Sequence, residues 1–101
     1  MAYESRFKRE EIDYLFEAIL SLETVEECYR FFEDACTINE INAMAQRLEV
    51  ACLLAQKKTY SEIEEMTKAS TATISRINKC LTYGSDGYKI VLERLAEKEK
   101  K

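Results

Sequence analysis

The chain contains no proline, and its only two glycines, Gly84 and Gly87, lie near the end of its 101 residues. Because these residue types break helices most readily, little interrupts helix formation before residue 84. Apolar residues recur at steps of three and four, and no segment alternates with a period of two. These features predict an all-α fold, and the length predicts one domain spanning residues 1–101.

Three Thr-x-x-Glu sequences, which begin at Thr24, Thr37 and Thr59, predict where helices start. Together with the apolar stripes they predict six helices, over about residues 8–22, 25–35, 38–56, 60–67, 70–82 and 87–98. Gly84 is expected in a left-handed position that ends the fifth helix. The predicted inward face of the third helix consists of Ile41, Ala45, Leu48, Ala51, Cys52 and Ala55.

The absence of histidine excludes several kinds of chemistry. Histidine-based proton transfer, Ser-His and Cys-His nucleophiles and histidine metal sites are ruled out. The four cysteines, at positions 28, 36, 52 and 80, form no Cys-x-x-Cys pair, so we expect buried, reduced thiols and no metal site. No paired carboxylates stand out, and we expect neither catalytic residues nor a cofactor. The first residues carry charge rather than an apolar run, so we expect no signal peptide. The 34% of charged residues predicts a chain that does not span a membrane, and reduced cysteines fit the cytoplasm.

Charge is distributed unevenly along the chain. The net charge of −4 is the sum of −7 over residues 1–40 and +3 over residues 41–101. Residues 66–83 contain Lys68, Arg76 and Lys79 and no acidic residue. An anionic partner would therefore not be repelled from this segment.

Residues 60–82 have the pattern of a helix-turn-helix, in which two short helices cross steeply at a tight turn. The residues that fit are Ile63 and Thr67 on the first helix, Ala69 in the turn, Ser70 as cap, and Ile74, Ile77 and Leu81 on the inward face of the second helix. Two positions depart from the usual pattern. Lys68 replaces the turn glycine, at a cost of ~1 kcal/mol if its φ is positive, and Glu64 replaces a small residue at the crossing.

The outward face of the second helix suits a DNA major groove, which is about 12 Å wide. Its first side chains are short enough to approach base edges, and the cations further along would approach phosphates. Thr73 would turn toward the DNA backbone. The candidate DNA-binding residues are Lys68, Ser70, Thr71, Ala72, Thr73, Ser75, Arg76 and Lys79.

The run from Ala69 to Arg76, with matching stretches over residues 37–54 and 60–77, resembles the Trp-repressor superfamily and most closely its YerC/YecD group. The resemblance covers roughly the last two thirds of the chain. It implies an intertwined homodimer of helical chains that binds double-stranded DNA as a transcriptional repressor. Two-fold symmetry would then place the two second helices about one DNA turn (~34 Å) apart on a pseudo-palindromic site.

The resemblance also implies a corepressor site, whose candidate effector-binding residues here are Thr37, Arg47 and Arg76. In the tryptophan-binding repressor a glycine follows the second arginine and leaves room for the indole, whereas here that residue is Ile77. We therefore expect neither tryptophan nor another small-molecule effector to bind. Arg47 would instead form an interhelical ion pair, to Glu49 or to Glu40 of a neighbouring chain.

Two other functions stay open from the residues themselves. The acidic N-terminal third favours a helical interaction module that uses the same hairpin to bind a protein. An enzyme is the other alternative, for which only Asp, Glu, Lys, Tyr and Cys side chains are available.

Overall fold

A computed structural model describes residues 3–99, which form six α-helices and no strand within that range. The helices are α1 (Glu10–Leu20), α2 (Val25–Ala35), α3 (Ile38–Ala55), α4 (Tyr60–Thr67), α5 (Thr71–Tyr83) and α6 (Gly87–Glu99). The predicted all-α fold is confirmed, and each predicted helix is present with ends within about two residues of those expected. The chain divides into two compact units, Met1–Ile38 and Asn39–Lys101.

The first unit contains α1 and α2, neither of which has a buried residue. At the start of α2 the hydroxyl of Thr24 accepts a hydrogen bond from the amide of Glu27 at 3.1 Å. The Glu27 carboxylate accepts from the amide of Glu23 at 2.8 Å, one residue earlier than in a standard capping box. Large apolar side chains remain exposed on these helices, namely Tyr14, Leu15, Phe16, Leu20, Val25 and Tyr29.

The second unit has its own hydrophobic core, to which α3, α4, α5 and the turn between α4 and α5 contribute. The buried residues are Val50, Ala51, Leu53, Ile63, Ala69, Ile74 and Ile77, with Leu54, Tyr88 and Leu92 packed against them. Because α3 contributes to this core and α6 packs against it, both helices support the buried side of the α4–α5 hairpin. The part of the chain described contains no helix that is both long and apolar enough to cross a membrane.

The predicted inward face of α3 is wrong in part. Ala51 is buried as expected, but Ala45 and Ala55 are exposed, while Val50 and Leu53 are buried. Ile41, Leu48 and Cys52 of the predicted face are half-buried, whereas Val50 and Leu53 lie on other faces of α3, since each residue turns the helix by about 100°. Gln46 is also half-buried.

Two further predictions are also wrong. None of the cysteines is buried in this chain: Cys28 and Cys80 are exposed, and Cys36 and Cys52 are half-buried with free thiols. Gly84 has φ −83° and ψ −159°, an extended rather than a left-handed conformation. Glycine suits this position for a different reason, since a Cβ there would lie 2.4 Å from the carbonyl oxygen of Cys80.

Candidate nucleic-acid interface

The hairpin begins with a complete capping box at α4. The hydroxyl of Thr59 accepts from the amide of Glu62 at 3.2 Å, and the Glu62 carboxylate accepts from the amide of Thr59 at 2.9 Å. The hydrogen bond from the Thr59 backbone amide, and after it the interaction with the Thr59 side chain, hold the pKa of the Glu62 carboxyl below its ordinary value. The third Thr-x-x-Glu sequence is thus confirmed as a helix start.

The turn between α4 and α5 is held by Thr67. Its hydroxyl donates to the carbonyl of Ile63 at 2.8 Å and accepts from the amide of Ala69 at 3.1 Å. Its carbonyl accepts from the side-chain amide of Gln46 on α3 at 3.1 Å. Lys68 takes the left-handed conformation usual for glycine, with φ 65° and ψ 14°. The sequence predicted the burial of Thr67 but gave no sign of these hydrogen bonds.

Ser70 caps α5 as predicted. Its hydroxyl oxygen accepts from the amide of Thr73 at 3.1 Å, and its carbonyl accepts from the amide of Ile74 at 3.0 Å. The Ser70 hydroxyl also donates to the Thr73 hydroxyl oxygen at 3.1 Å. Thr73 is half-buried, and its hydroxyl faces the cap.

The two sides of α5 differ sharply in exposure. Ile74 and Ile77 are 0% and 2% exposed, in the core of the second unit. Of the eight candidate residues, Thr73 and Ser75 are half-buried and six are exposed, namely Lys68, Ser70, Thr71, Ala72, Arg76 and Lys79. No carboxylate within residues 3–99 forms an ion pair with Lys68, Arg76 or Lys79. Three cations are therefore available to an anionic partner on or beside this helix.

One acidic side chain also lies at the start of α5. The carboxylate of Glu64, on α4, accepts a hydrogen bond from the hydroxyl of Thr71. Both residues are exposed. In the sequence, Glu64 is a departure from the usual helix-turn-helix pattern. That departure is the available signal, because a carboxylate at a helix crossing needs either solvent or a donor nearby.

The candidate effector-binding residues lie in both units. Thr37 precedes α3 in the first unit, whereas Arg47 and Arg76 belong to the second, and all three are exposed. Ile77 packs into the core rather than onto the exposed face of α5. Among the residues that the structure describes, no three His, Cys, Asp or Glu side chains are placed to hold a metal ion. That no effector binds stays a prediction.

The helix α5 carries exposed cations and follows a buried, hydrogen-bonded turn after α4. This arrangement makes the chain an all-α helix-turn-helix protein. The chain belongs to the Trp repressor family, since a family profile described as Trp repressor protein matches residues 10–96. It is 56% identical over 94 residues to the uncharacterized protein YerC of Bacillus subtilis (strain 168), covering 93% of this chain and 90% of that protein. The predicted resemblance to this family and to its YerC group is confirmed.

Two crystal structures have the same fold. A TrpR-like protein from Eubacterium eligens ATCC 27750 superimposes with a TM-score of 0.87 at 55% identity, over 90% of this chain and 94% of that one. A protein from Staphylococcus aureus described as a candidate Trp repressor gives a TM-score of 0.86 at 48% identity, over 90% and 91% of the two chains. The family is one of regulatory DNA-binding proteins, which makes DNA the first partner to consider.

Proposed function

We propose that the chain is a sequence-specific DNA-binding protein. It acts as a dimeric transcriptional repressor that reads a pseudo-palindromic site through residues 70–82, within a single domain. The observation that carries the proposal is the outer face of the second helix, where Arg76 and Lys79 are exposed and free of ion pairs among the described residues. Exposed cations beside short polar side chains suit phosphates and base edges respectively.

Each candidate residue has a distinct role in this proposal. Arg76, Lys79 and Lys68 bind phosphates and supply most of the affinity. Thr71, Ala72 and Ser75 approach the base edges. Ser70 and Thr73 fix the first turn of α5, whose leading amides face a phosphate. The protein would act in the cytoplasm, with the DNA that it binds, and without tryptophan or another effector.

A second copy of the chain is the partner that the first unit favours. Its two helices have no buried residue, and they expose large apolar side chains such as Phe16, Leu20 and Tyr29. Large exposed apolar surface is typical of a protein–protein interface. A two-fold dimer would also present two copies of α5 to successive major grooves on one side of the DNA.

The first test is selection of random duplex DNA by the purified protein, with binding then measured across a salt series. We expect a pseudo-palindrome whose half-sites lie about one DNA turn apart, and an affinity that falls steeply as salt rises. Recovery of no motif, or of binding that is the same for all sequences, would contradict sequence-specific recognition.

Arg76→Ala tests the placement of the helix on the DNA. Because Arg76 would bind phosphate, its loss should weaken binding to all sequences and reduce the salt slope by about 1 per contact, or about 2 in a dimer. Arg94→Ala is the matched control, since Arg94 is an equally charged, exposed residue on α6. Unchanged affinity in Arg76→Ala would show that α5 does not lie against DNA in this way.

A helical interaction module that binds a protein through the same hairpin is the second candidate. The acidic first 40 residues, with a net charge of −7, favour it because they would repel DNA. A stable complex with a protein and none with DNA would support this candidate over the first.

A further inference from the structure

The hydrogen bond between α4 and the first residue of α5 determines what the DNA-facing surface can recognise. The hydroxyl of Thr71 donates its one proton to the Glu64 carboxylate. The Thr71 oxygen keeps its lone pairs. The second carboxylate oxygen of Glu64 accepts no hydrogen bond and no ion pair from residues 3–99. The side chains of Glu64 and Thr71 therefore present only acceptors to a partner.

Apart from Thr71, the neighbouring side chains that the structure describes donate no hydrogen bond to the Glu64 carboxylate. The Ser70 hydroxyl donates to Thr73, so it does not donate to Glu64. Lys68, the cation nearest in sequence to the turn, forms no ion pair with Glu64. Ala72, the next exposed residue on α5, has no polar side-chain atom. The unsatisfied acceptors lie at the end of α5 that enters the groove first in a helix-turn-helix.

We propose that Glu64 is a specificity-determining residue, which together with Thr71 selects a base that presents an exocyclic amino group in the major groove. The inference rests on the proposed DNA-binding function. Cytosine N4 is the preferred donor, because a carboxylate accepting from cytosine is an established base contact. A guanine or thymine at that position presents only acceptors toward the pair and leaves a desolvated carboxylate without a donor.

Glu64 also has an electrostatic effect that the same change would reveal. Its negative charge lies beside Thr71 at the start of α5, the helix that carries Arg76, so it weakens the attraction for phosphates of any sequence. Loss of the charge should therefore increase sequence-independent binding, whereas replacing a carboxylate oxygen by an amide NH2, as in Glu64→Gln, turns an acceptor into a donor and should relax the choice of base. These two effects are separable because an acid elsewhere on α4 contributes only the first.

The experiment compares Glu64→Gln with Glu65→Gln in the selection of random duplex DNA. Glu65 is the neighbouring acid on α4, is exposed, and makes no hydrogen bond or ion pair to α5 among the described residues. Both variants lose one negative charge, but only the first changes the group bonded to Thr71. Thr71→Val is the third variant, since it removes the hydroxyl that holds Glu64 in place.

We expect the unaltered protein to require an amino-bearing base at one position of each half-site. Glu64→Gln should reduce discrimination at that position by roughly 10-fold and leave the other positions unchanged. Thr71→Val should relax the same position, and Glu65→Gln should select the original motif with a modest gain in overall affinity. The inference is overturned if Glu64→Gln selects the same motif with the same discrimination. If the unaltered protein selects no motif, the proposed function itself fails, and this inference with it.

Discussion

Replacement of Thr67 by valine tests whether the side-chain hydroxyl holds the turn between α4 and α5. Valine has nearly the same shape as threonine but lacks the hydroxyl, so it removes two hydrogen bonds without opening a cavity. The Ile63 carbonyl also accepts an amide within α4 and keeps that partner. The amide of Ala69 loses the only acceptor found for it among the described residues, and Ala69 is only 5% exposed.

The expected loss of stability follows from that orphaned amide. A buried donor without an acceptor costs about 1–3 kcal/mol. The methyl group that replaces the hydroxyl in valine adds at most ~0.8 kcal/mol of stability by burial of apolar surface. We therefore expect Thr67→Val to lower the free energy of unfolding by about 1–2 kcal/mol, which is a drop in Tm of roughly 4–16 °C for a chain of this size.

Two measurements check this expectation. Thermal unfolding compares the variant with the unaltered protein at one fixed concentration, because any self-association would make Tm depend on concentration. Amide hydrogen exchange then reports the Ala69 amide directly, and this amide should exchange faster in Thr67→Val.

Thr67→Ser is the matched control. It keeps the hydroxyl and loses only a buried methyl group, at a cost of ~0.8 kcal/mol. The Ala69 amide should therefore stay protected in the serine variant. A valine variant as stable as the unaltered protein, with an equally protected Ala69 amide, would refute the role assigned to the hydroxyl.

Two further predictions concern the ends of α4. Thr59→Ala should cost about 1 kcal/mol in denaturant unfolding through loss of the cap, and equal stability would contradict the capping role. The lowered pKa of Glu62 stabilises the fold above the ordinary glutamate pKa, and this effect is lost as pH falls through the lowered value. Thr59→Ala should weaken this pH dependence only in part, because the backbone amide of residue 59, the larger cause of the lowered pKa, is kept. Lys68→Gly removes the conformational cost of a left-handed non-glycine residue, which is about 1–2 kcal/mol. Glycine also raises the conformational entropy of the unfolded chain, which lowers stability by about 0.5–1 kcal/mol. The urea midpoint should therefore rise slightly, and a fall would contradict the strain at φ 65°.

The helices and the hairpin core could be predicted because local signals determine them. Helix ends follow from Thr-x-x-Glu sequences and from the lack of breakers, which act within a few residues. Ile63, Ala69, Ile74 and Ile77 were expected inside and are buried, because their spacing on two short helices leaves one face to bury. The caps at Thr59 and Ser70 follow for the same reason.

The buried face of α3 could not be predicted with the same success. Residues 50–55 are all apolar, so periodicity does not choose between neighbouring faces, and the packing of α4 and α5 decides. The bond between Glu64 and Thr71 depends on side-chain conformations across a turn, and sequence spacing does not determine these. The hydrogen bond from Gln46 to the Thr67 carbonyl could not be predicted for a similar reason, since the two residues are 21 positions apart in the sequence.

The contrast between the two sides of α5 bears on how such a protein can change over evolutionary time. Ile74 and Ile77 are buried and cannot change without a cost in folding, whereas Ala72, Arg76 and Lys79 are exposed and can vary at little cost in stability. A lineage can therefore acquire a new target by successive substitutions on the outer side that leave the stability of the fold unchanged. Thr71 is the exception, because its bond to Glu64 ties two positions on different helices into a pair that should be exchanged together.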